Sequence, residues 1–275
     1  MHPLLTGSLS IERIQVNIPD LPASLKGCQL VQLSDFHFDG WRLSVSLLEA
    51  AIAASNAARP DLILLTGDFV TDTPAAIHNL VPWLQKLESR NGIYAVLGNH
   101  DICYSRSRSE ITQALSNIGI HVLWNQIAYP WGSALPIVGL ADFWSSDFCP
   151  GSVMDQLDET TPRIVLSHNP DSAEPLQPWR VDLQLSGHSH GGQIVIPGVG
   201  TLSQHLSTFY KNTPKQIRHL FPLMKVCYRT MKHWEWSQGL HTLRPNHLLY
   251  VNRGLGTYLP GRLFCPPEVT VITLN

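Results

Sequence analysis

Residues 185–193, LSGHSHGGQ, place two histidines two positions apart on a glycine-rich turn. A helix does not tolerate this density of glycine, and a strand gains little from it. The preceding residues 182–186 read as a short apolar strand, so both imidazoles follow a strand end. Alternate side chains of an extended backbone share a face, so His188 and His190 point the same way, with Ser189 between them. The pattern favours a backbone folded closely around something that imidazole binds.

The same arrangement recurs at four other predicted strands, each an apolar run that ends in Asp, Asn or His. The polar residues at the five strand ends are Asp35 and His37; Asp68; Asn99, His100 and Asp101; His168; and His188 with His190. Ligands of open α/β sheets bind at the carboxyl ends of the strands, so we expect these termini to converge on one crevice.

Helical patterns separate the strands of the first half, at residues 43–58, 74–89 and 107–118. Strands alternating with helices predict parallel βαβ units, and the strand-rich second half predicts a second sheet. No internal repeat or low-complexity linker divides the sequence, so we expect a single domain over residues 1–275.

Composition narrows the functional class. The net charge of −2 gives no general case for nucleic-acid binding, so no nucleic-acid partner is expected. Five scattered cysteines without a CxxC pair argue against a disulfide framework and against a thiolate zinc site.

We recognise no signal peptide at the start and no apolar run near the ~18 residues that a membrane span needs. We therefore expect a cytoplasmic protein, soluble or peripheral at the inner face of the membrane.

The ordered set D-x-H, G-D, G-N-H-D, H and G-H-x-H resembles the calcineurin-like metallophosphoesterase superfamily, from about Cys28 to the C-terminus. The stretches SHNPD, SGHSHGGQ, RGLGT and FCPPEVTVITL are similar to its bacterial YkuE/YaeI-type branch, to which the UDP-2,3-diacylglucosamine pyrophosphatase LpxG is related. The resemblance implies an α/β fold of four layers, an αββα sandwich with two mixed β-sheets.

The resemblance also implies a centre of two divalent metal ions. Carried over by position, the ligands are Asp35, His37 and His190 at one ion, Asn99, His168 and His188 at the other, and Asp68 as the bridge. Oxygen and imidazole donors together suit Mn, Fe, Zn, Co or Ni, and we favour Mn. His100 would protonate the leaving oxygen or stabilise transition-state charge, and Asp101 would orient its imidazole.

The reaction implied is hydrolysis of a phosphodiester or pyrophosphate by a hydroxide that bridges the two metal ions. A UDP-sugar-lipid such as UDP-2,3-diacylglucosamine is the substrate that the branch suggests. Two alternatives stay open: a phosphodiesterase for cyclic nucleotides or other soluble diesters, and a catalytically silent metal-binding scaffold. The full ligand set together with His100 argues against the scaffold, which would not need all of these residues.

Residues 210–244 differ in character from the rest of the chain, because they contain seven Lys and Arg against the single acid Glu235, interleaved with aromatic and aliphatic residues. We expect a basic, aromatic insertion here. It either contacts an anionic membrane and holds an amphiphilic phosphate ester, or packs as a helix with a solvated basic face.

The glycines of the opening turn have an expected purpose as well. A side chain at Gly187, Gly191 or Gly192 would crowd the metal ions or the phosphate. On this view, Gly191→Val should lower metal occupancy more than it lowers folding stability.

Overall fold

The computed structural model describes residues 3–275, in which two six-stranded sheets enclose a shared core. The strands of the first sheet are β1 (Ser10–Val16), β2 (Gln29–Leu33), β3 (Leu62–Leu65), β4 (Ile93–Ala95), β5 (Ile120–Val122) and β15 (Glu268–Leu274). Their order is β1-β15-β2-β3-β4-β5, and only the β15–β2 pair is antiparallel.

The second sheet is also mixed. Its strands are β6 (Gln126–Ala128), β8 (Ile137–Gly139), β9 (Ile164–Leu166), β10 (Leu183–Ser186), β13 (Gly239–Arg244) and β14 (His247–Val251). The order is β13-β14-β10-β9-β8-β6, with antiparallel pairs at both edges and parallel pairs between them. The remaining short strands are β7 (Pro130–Ser133), β11 (Val195–Ile196) and β12 (Gly200–Thr201).

Seven α-helices lie within residues 3–275. They are α1 (Pro3–Thr6), α2 (Val45–Ala57), α3 (Ile77–Leu84), α4 (Ser107–Ser116), α5 (Gly151–Met154), α6 (Leu202–Asn212) and α7 (Pro222–Thr230). Across these residues, none of the helices combines the length and the apolar character that crossing a membrane requires.

Alternation along the strands builds the layers, because successive side chains of a strand point to opposite faces. Leu64 of β3 lies in a buried cluster with Ile164 of β9, between the two sheets. Its neighbours Ile63 and Leu65 lie in another cluster, together with residues of α2, α3 and α4. Val165 of β9 packs on the far side of the second sheet with residues of α5. The predicted four-layer α/β sandwich with two mixed sheets is confirmed.

The helix predicted over residues 74–89 is shorter in the structure, where α3 ends before this stretch is complete. The side chain of Asn56 on α2 donates to the Lys86 carbonyl at 2.7 Å and accepts from the Glu88 N–H at 3.0 Å. These bonds take backbone groups that a longer helix would pair internally. A contact with α2 therefore overrides the local helical pattern.

The basic segment, residues 210–244, does not begin as a separate unit. Its predicted boundary at Tyr210 falls inside α6. The Thr201 hydroxyl caps the start of this helix by accepting a hydrogen bond from the Gln204 N–H at 3.2 Å. The chain then continues through α7 into β13, the edge strand of the second sheet. The sequence analysis did not predict α6, and it offered a helix for the segment that contains α7 only as one of two alternatives.

The core between the sheets gives a stability prediction. Leu64 is completely buried, so Leu64→Ala should lower the free energy of unfolding by about 2–5 kcal/mol through lost transfer energy and a residual cavity. Leu240→Ala makes the same change on β13 at a side chain that is 42% exposed, and should alter stability by at most about 0.5 kcal/mol. Urea unfolding measures both, and equal losses in the two variants would contradict the assigned core.

Candidate metal centre

The strand ends that the sequence singled out meet at one place. β2, β3 and β4 are adjacent parallel strands of the first sheet, and β9 and β10 are adjacent parallel strands of the second, so the carboxyl ends within each set share an edge. Asp68 Oδ2 lies 3.5 Å from His37 Nε2 and 3.0 Å from His168 Nε2. His190 Nε2 lies 3.1 Å from His37 Nε2 and 3.5 Å from Asp35 Oδ1. Residues from both sheets therefore surround one small volume.

These side chains form three overlapping groups whose ligand atoms lie within 4.8 Å of one another. The groups are Asp35, His37 and His190; Asp68, His168 and His188; and His37, Asp68 and His100. The first group contains the residues predicted for one ion. The second contains His168 and His188, predicted for the other ion, together with the predicted bridge Asp68, and the third shares His37 and Asp68 with them. Asn99 completes the predicted set from the end of β4.

Asn99 supplies a separate indication that a ligand belongs here. Its Oδ1 atom is buried and has no hydrogen-bond partner anywhere in residues 3–275. Leaving a buried acceptor unpaired costs about 1–3 kcal/mol, so such an atom calls for an explanation. A divalent cation accepts an amide oxygen as a ligand, and the surrounding oxygen and imidazole donors are those that Mn, Fe, Co, Ni and Zn use. The residues present thus fit a metal centre.

Backbone carbonyls fix the protonation of most of the rings. A carbonyl oxygen can only accept, so the ring nitrogen facing it carries the proton and the other nitrogen of a neutral ring has a lone pair. His168 Nδ1 donates to the Thr66 carbonyl at 2.7 Å, and His190 Nδ1 donates to the Gly256 carbonyl at 3.1 Å. In their neutral forms both rings therefore direct the Nε2 lone pair at the centre, which is the state that a metal ligand needs.

Burial keeps most of these rings neutral, because an imidazolium ion is disfavoured away from water. It lowers the pKa of His37 to about 3 and that of His188 to about 4, and it holds the pKa of His190 well below its usual range. At neutral pH all three rings can donate a lone pair to a cation.

Two other buried groups, His168 and Asp35, have raised pKa values. Burial alone would lower the pKa of His168, but the charge and hydrogen bond of Asp68 outweigh it and raise the pKa to about 10. Burial also raises the pKa of Asp35 to about 6. Without a metal ion His168 and Asp68 therefore form a charged pair, and a cation would replace the shared proton, so metal affinity depends on pH.

The backbone at these positions is strained. A non-glycine residue with φ between about +40° and +70° is uncommon and costs about 1–3 kcal/mol, so clusters of such residues tend to mark functional sites. Five of the seven predicted ligands adopt it: Asp35 (φ 51°), His37 (φ 43°), Asp68 (φ 54°), His188 (φ 69°) and His190 (φ 50°). The strand ends are bent sharply enough to turn these side chains into the crevice.

One predicted contact is wrong. Asp101 does not hold the His100 ring, because its carboxylate accepts from the backbone N–H groups of Phe69 at 2.8 Å, Val70 at 3.2 Å and Gly98 at 2.9 Å. The ring of His100 is oriented by the Thr71 carbonyl, to which Nδ1 donates at 2.8 Å. Asp101 instead joins the turns after β3 and β4, a need of the backbone that the local motif does not reveal.

The glycine turn also differs from expectation. A Cβ atom at Gly187 would overlap the side chains of Ser34 and of the candidate ligand Asp35. At Gly191, where φ is +62°, a Cβ would meet Cys265 Sγ at 2.6 Å, and Gly192 faces Thr201. The prediction that Gly191→Val lowers metal occupancy more than folding stability is therefore wrong. That change would strain the backbone and disrupt packing first.

A cavity of about 350 Å³ adjoins the candidate centre. His100 and His188 line it together with Trp144, Val226 and Trp234, and the Trp144 ring lies edge-on to His188 with ring centroids 4.8 Å apart. Sequence reasoning did not assign Trp144, Val226 or Trp234 a role at the site individually. Val226 and Trp234 come from the basic segment, which therefore forms a wall of the site.

Tyr258 was also missed. Its hydroxyl lies 3.1 Å from His37 Nδ1, and its ring is edge-on to both His37 and His190. The only sequence signal was its place directly after the RGLGT stretch. No spacing rule connects that stretch to His37, because the contact spans 221 residues.

The close approach at Gly187 gives a test of the centre. Gly187→Ala should displace Asp35 and lower Mn²⁺ affinity at least about tenfold, in the range typical of changes beside metal ligands. Gly151→Ala is the matched control, because its Cβ would meet the flexible end of Asp155 at 3.3 Å and otherwise make ordinary van der Waals contact with Trp179 at 3.6 Å. Metal content after dialysis measures the effect, and parental Mn²⁺ binding by Gly187→Ala would refute the assignment.

Comparison with known proteins agrees with this geometry. The family model of calcineurin-like phosphoesterases matches residues 29–192, which include all the predicted ligands. A zebrafish (Danio rerio) dimetal phosphatase of known structure has a similar fold, with a TM-score of 0.52 and 11% identity over 85% of this chain and 90% of that one.

Three curated bacterial proteins are similar over most of their length. Phosphodiesterase YaeI of Escherichia coli is 32% identical over 90% of this chain and 82% of that protein. The metallophosphoesterase YkuE of Bacillus subtilis is 30% identical over 93% and 82%, respectively. The UDP-2,3-diacylglucosamine pyrophosphatase LpxG of Chlamydia trachomatis is 28% identical over 96% and 88%. The predicted superfamily and bacterial branch are confirmed, and the chain belongs to the calcineurin-like phosphoesterase family.

Proposed function

We propose that this phosphoesterase hydrolyses a phosphodiester or pyrophosphate bond at a centre of two divalent metal ions, with Mn²⁺ preferred. The observation that carries the proposal is the clustering of imidazole nitrogens and carboxylate oxygens in groups within 4.8 Å, together with the buried, unpartnered Asn99 Oδ1. The proposed ligands are Asp35, His37 and His190 for one ion, Asn99, His168 and His188 for the other, and Asp68 between them. When bound, the ions would neutralise phosphoryl charge and activate water at neutral pH.

His100 is the proposed catalytic residue. It lines the cavity, and its Nδ1 is committed to the Thr71 carbonyl, so Nε2 is the atom available to a substrate. From that atom it would donate a proton to the leaving oxygen or a hydrogen bond to the phosphoryl group. Asp101 supports this role indirectly, by fixing the turn that precedes His100.

A diester assay tests the reaction. With Mn²⁺ and bis-p-nitrophenyl phosphate, the parent should turn over, and His100→Ala should lower kcat by about 10²–10⁴-fold, the usual contribution of proton transfer. Asn99→Ala should raise the Mn²⁺ concentration needed for activity about 10–100-fold, because one ligand is lost.

His78→Ala is the control for these variants, because His78 is largely exposed and pairs with Glu110 on the helical side of the molecule. It should keep parental kinetics. A parent without metal-dependent turnover would defeat the proposal and favour a silent metal-binding scaffold.

The proposed substrate is amphiphilic, such as a UDP-sugar-lipid. The relative from Chlamydia trachomatis is named for UDP-2,3-diacylglucosamine. In this chain the cavity beside the candidate ligands is also lined by Val226, Trp234 and Trp144, side chains that favour an apolar leaving group. Val226 is also 60% exposed, so the cavity reaches the surface beside it.

Soluble diesters are the alternative, and the relative named a phosphodiesterase in Escherichia coli favours them. Comparing kcat/KM for UDP-2,3-diacylglucosamine, cyclic nucleotides and simple diesters decides between the two. An apolar wall that takes part in binding should give the lipid substrate the highest value.

We also propose that the exposed side of α7 meets an anionic membrane surface, at the cytoplasmic face where such lipids are concentrated. Leu223 is 68% exposed and Val226 60% exposed, one helical turn apart, and the exposed Lys225 and Arg229 lie between and beside them. Apolar insertion combined with basic attraction is typical of helices that lie on membranes. Lys232 is not part of this surface, because its ammonium group pairs with Glu174.

Vesicle binding measures this contact. Replacing Lys225 and Arg229 together by Ala should weaken binding to phosphatidylserine vesicles about 30-fold, from about 1 kcal/mol per basic residue. Lys232→Ala is the matched control and should bind like the parent. If the double variant pellets with anionic vesicles as well as the parent does, α7 is a solvated helix and the membrane proposal fails.

A further inference from the structure

The last turn of α7 contacts one of the candidate ligands. His188 Nε2 lies 3.0 Å from the carbonyl oxygen of Thr230, the final residue of the helix. That carbonyl is among the last four of the helix, which have no partner within the helix itself. Because it can only accept, His188 donates from Nε2, and its Nδ1 lone pair remains for the centre.

The carbonyl needs a fixed position to hold the ring, and α7 gives it little support of its own. The helix has nine residues and none of them is buried. A short exposed helix frays at its ends unless tertiary contacts hold it. Support comes from α6, whose Tyr210 ring lies 5.3 Å from that of Tyr228, and from the residues that follow α7, where Met231 is 1% exposed and Trp234 is 6% exposed.

Asp171 holds this junction. Its Oδ2 accepts from the Lys232 N–H at 2.7 Å and its Oδ1 accepts from the His233 N–H at 3.0 Å. Asp171 is 5% exposed and lies in the short turn Pro170–Ala173, directly after the candidate ligand His168. Hydrogen bonds from backbone N–H groups to a buried carboxylate are among the stronger ones in proteins.

We propose that Asp171 is a positioning residue for His188, which it orients through the C-terminus of α7. The inference rests on the proposed metal centre, because it concerns the orientation of one of its ligands. The turn after β9 thus bears His168 directly and fixes the segment that orients His188, so two ligands of the same ion are set by one turn. Partners that orient a metal-bound histidine typically change metal affinity by about 10–100-fold when they are lost.

Mn²⁺ titration by calorimetry, supported by electron paramagnetic resonance, tests this in the full-length protein. Asp171→Ala should weaken the binding of one of the two ions about 10–100-fold and leave the other near its parental affinity. Asp171→Asn keeps one side-chain oxygen as an acceptor and should show a smaller loss. Excess Mn²⁺ should restore the spectrum of the paired ions in both variants.

Lys232→Ala is the control, because it removes the Glu174 ion pair at the same junction but keeps the backbone N–H that Asp171 binds. It should titrate like the parent. Equal losses in Lys232→Ala and Asp171→Ala would overturn the proposal, since the effect would then be general loosening. Parental affinity in folded Asp171→Ala would overturn it too, and if that variant does not fold, parental affinity in Asp171→Asn decides the same way.

The same Mn²⁺ titration distinguishes failure of the proposed function from failure of the positioning role. A parent protein that binds no Mn²⁺ would remove the metal centre itself. A parent that binds two ions, with unchanged binding in the Asp171 variants, would remove only the positioning role.

Discussion

The candidate site depends on one hydrogen-bonded link between the two sheets. Asp35 follows β2 in the first sheet, and both of its carboxylate oxygens accept from the backbone N–H of His188, which follows β10 in the second sheet, at 3.0 and 3.1 Å. Asp35 is completely buried, so this charge-assisted bond is not weakened by competing water. Gly187 lies so close to Asp35 that no side chain fits there. The link holds the two edges close together at the candidate centre.

The same region stores backbone strain, and neighbouring loops stabilise it. Five of the predicted ligands have left-handed φ values, a conformation that the local sequence alone would not select. The loop after β14 supports the turn after β2, because Leu255 N–H donates to the Ser34 carbonyl at 3.1 Å and Gly256 N–H donates to the Asp35 carbonyl at 2.7 Å. Gly256 also accepts from His190. The loop therefore fixes one candidate ligand from each sheet, which explains why the C-terminal part of the chain belongs to the candidate site.

The basic segment has residues at the protein surface and residues at the candidate centre. Val226 is exposed on α7 and also lines the cavity, while Thr230 at the end of the same helix contacts His188. An amphiphilic phosphate ester that approaches along α7 would contact the apolar side chains that line the cavity. In the proposed function, one short helix thus serves surface contact, substrate selection and ligand orientation.

The sequence alone predicted alternating strands and helices, a second sheet and polar residues at the strand ends, because strand periodicity and the ends of strands are local patterns. The four-layer arrangement was implied by the resemblance to a known family. The sequence could not determine which groups orient the polar residues. Asp101 binds the backbone of a neighbouring turn rather than His100, and Gly191 faces Cys265 rather than the centre. The contact of His188 with Thr230 spans 42 residues and consists of a backbone carbonyl, a group that every residue carries. Only the packing of the two sheets and α7 selects that carbonyl, so the tertiary structure decided how the ligands are held.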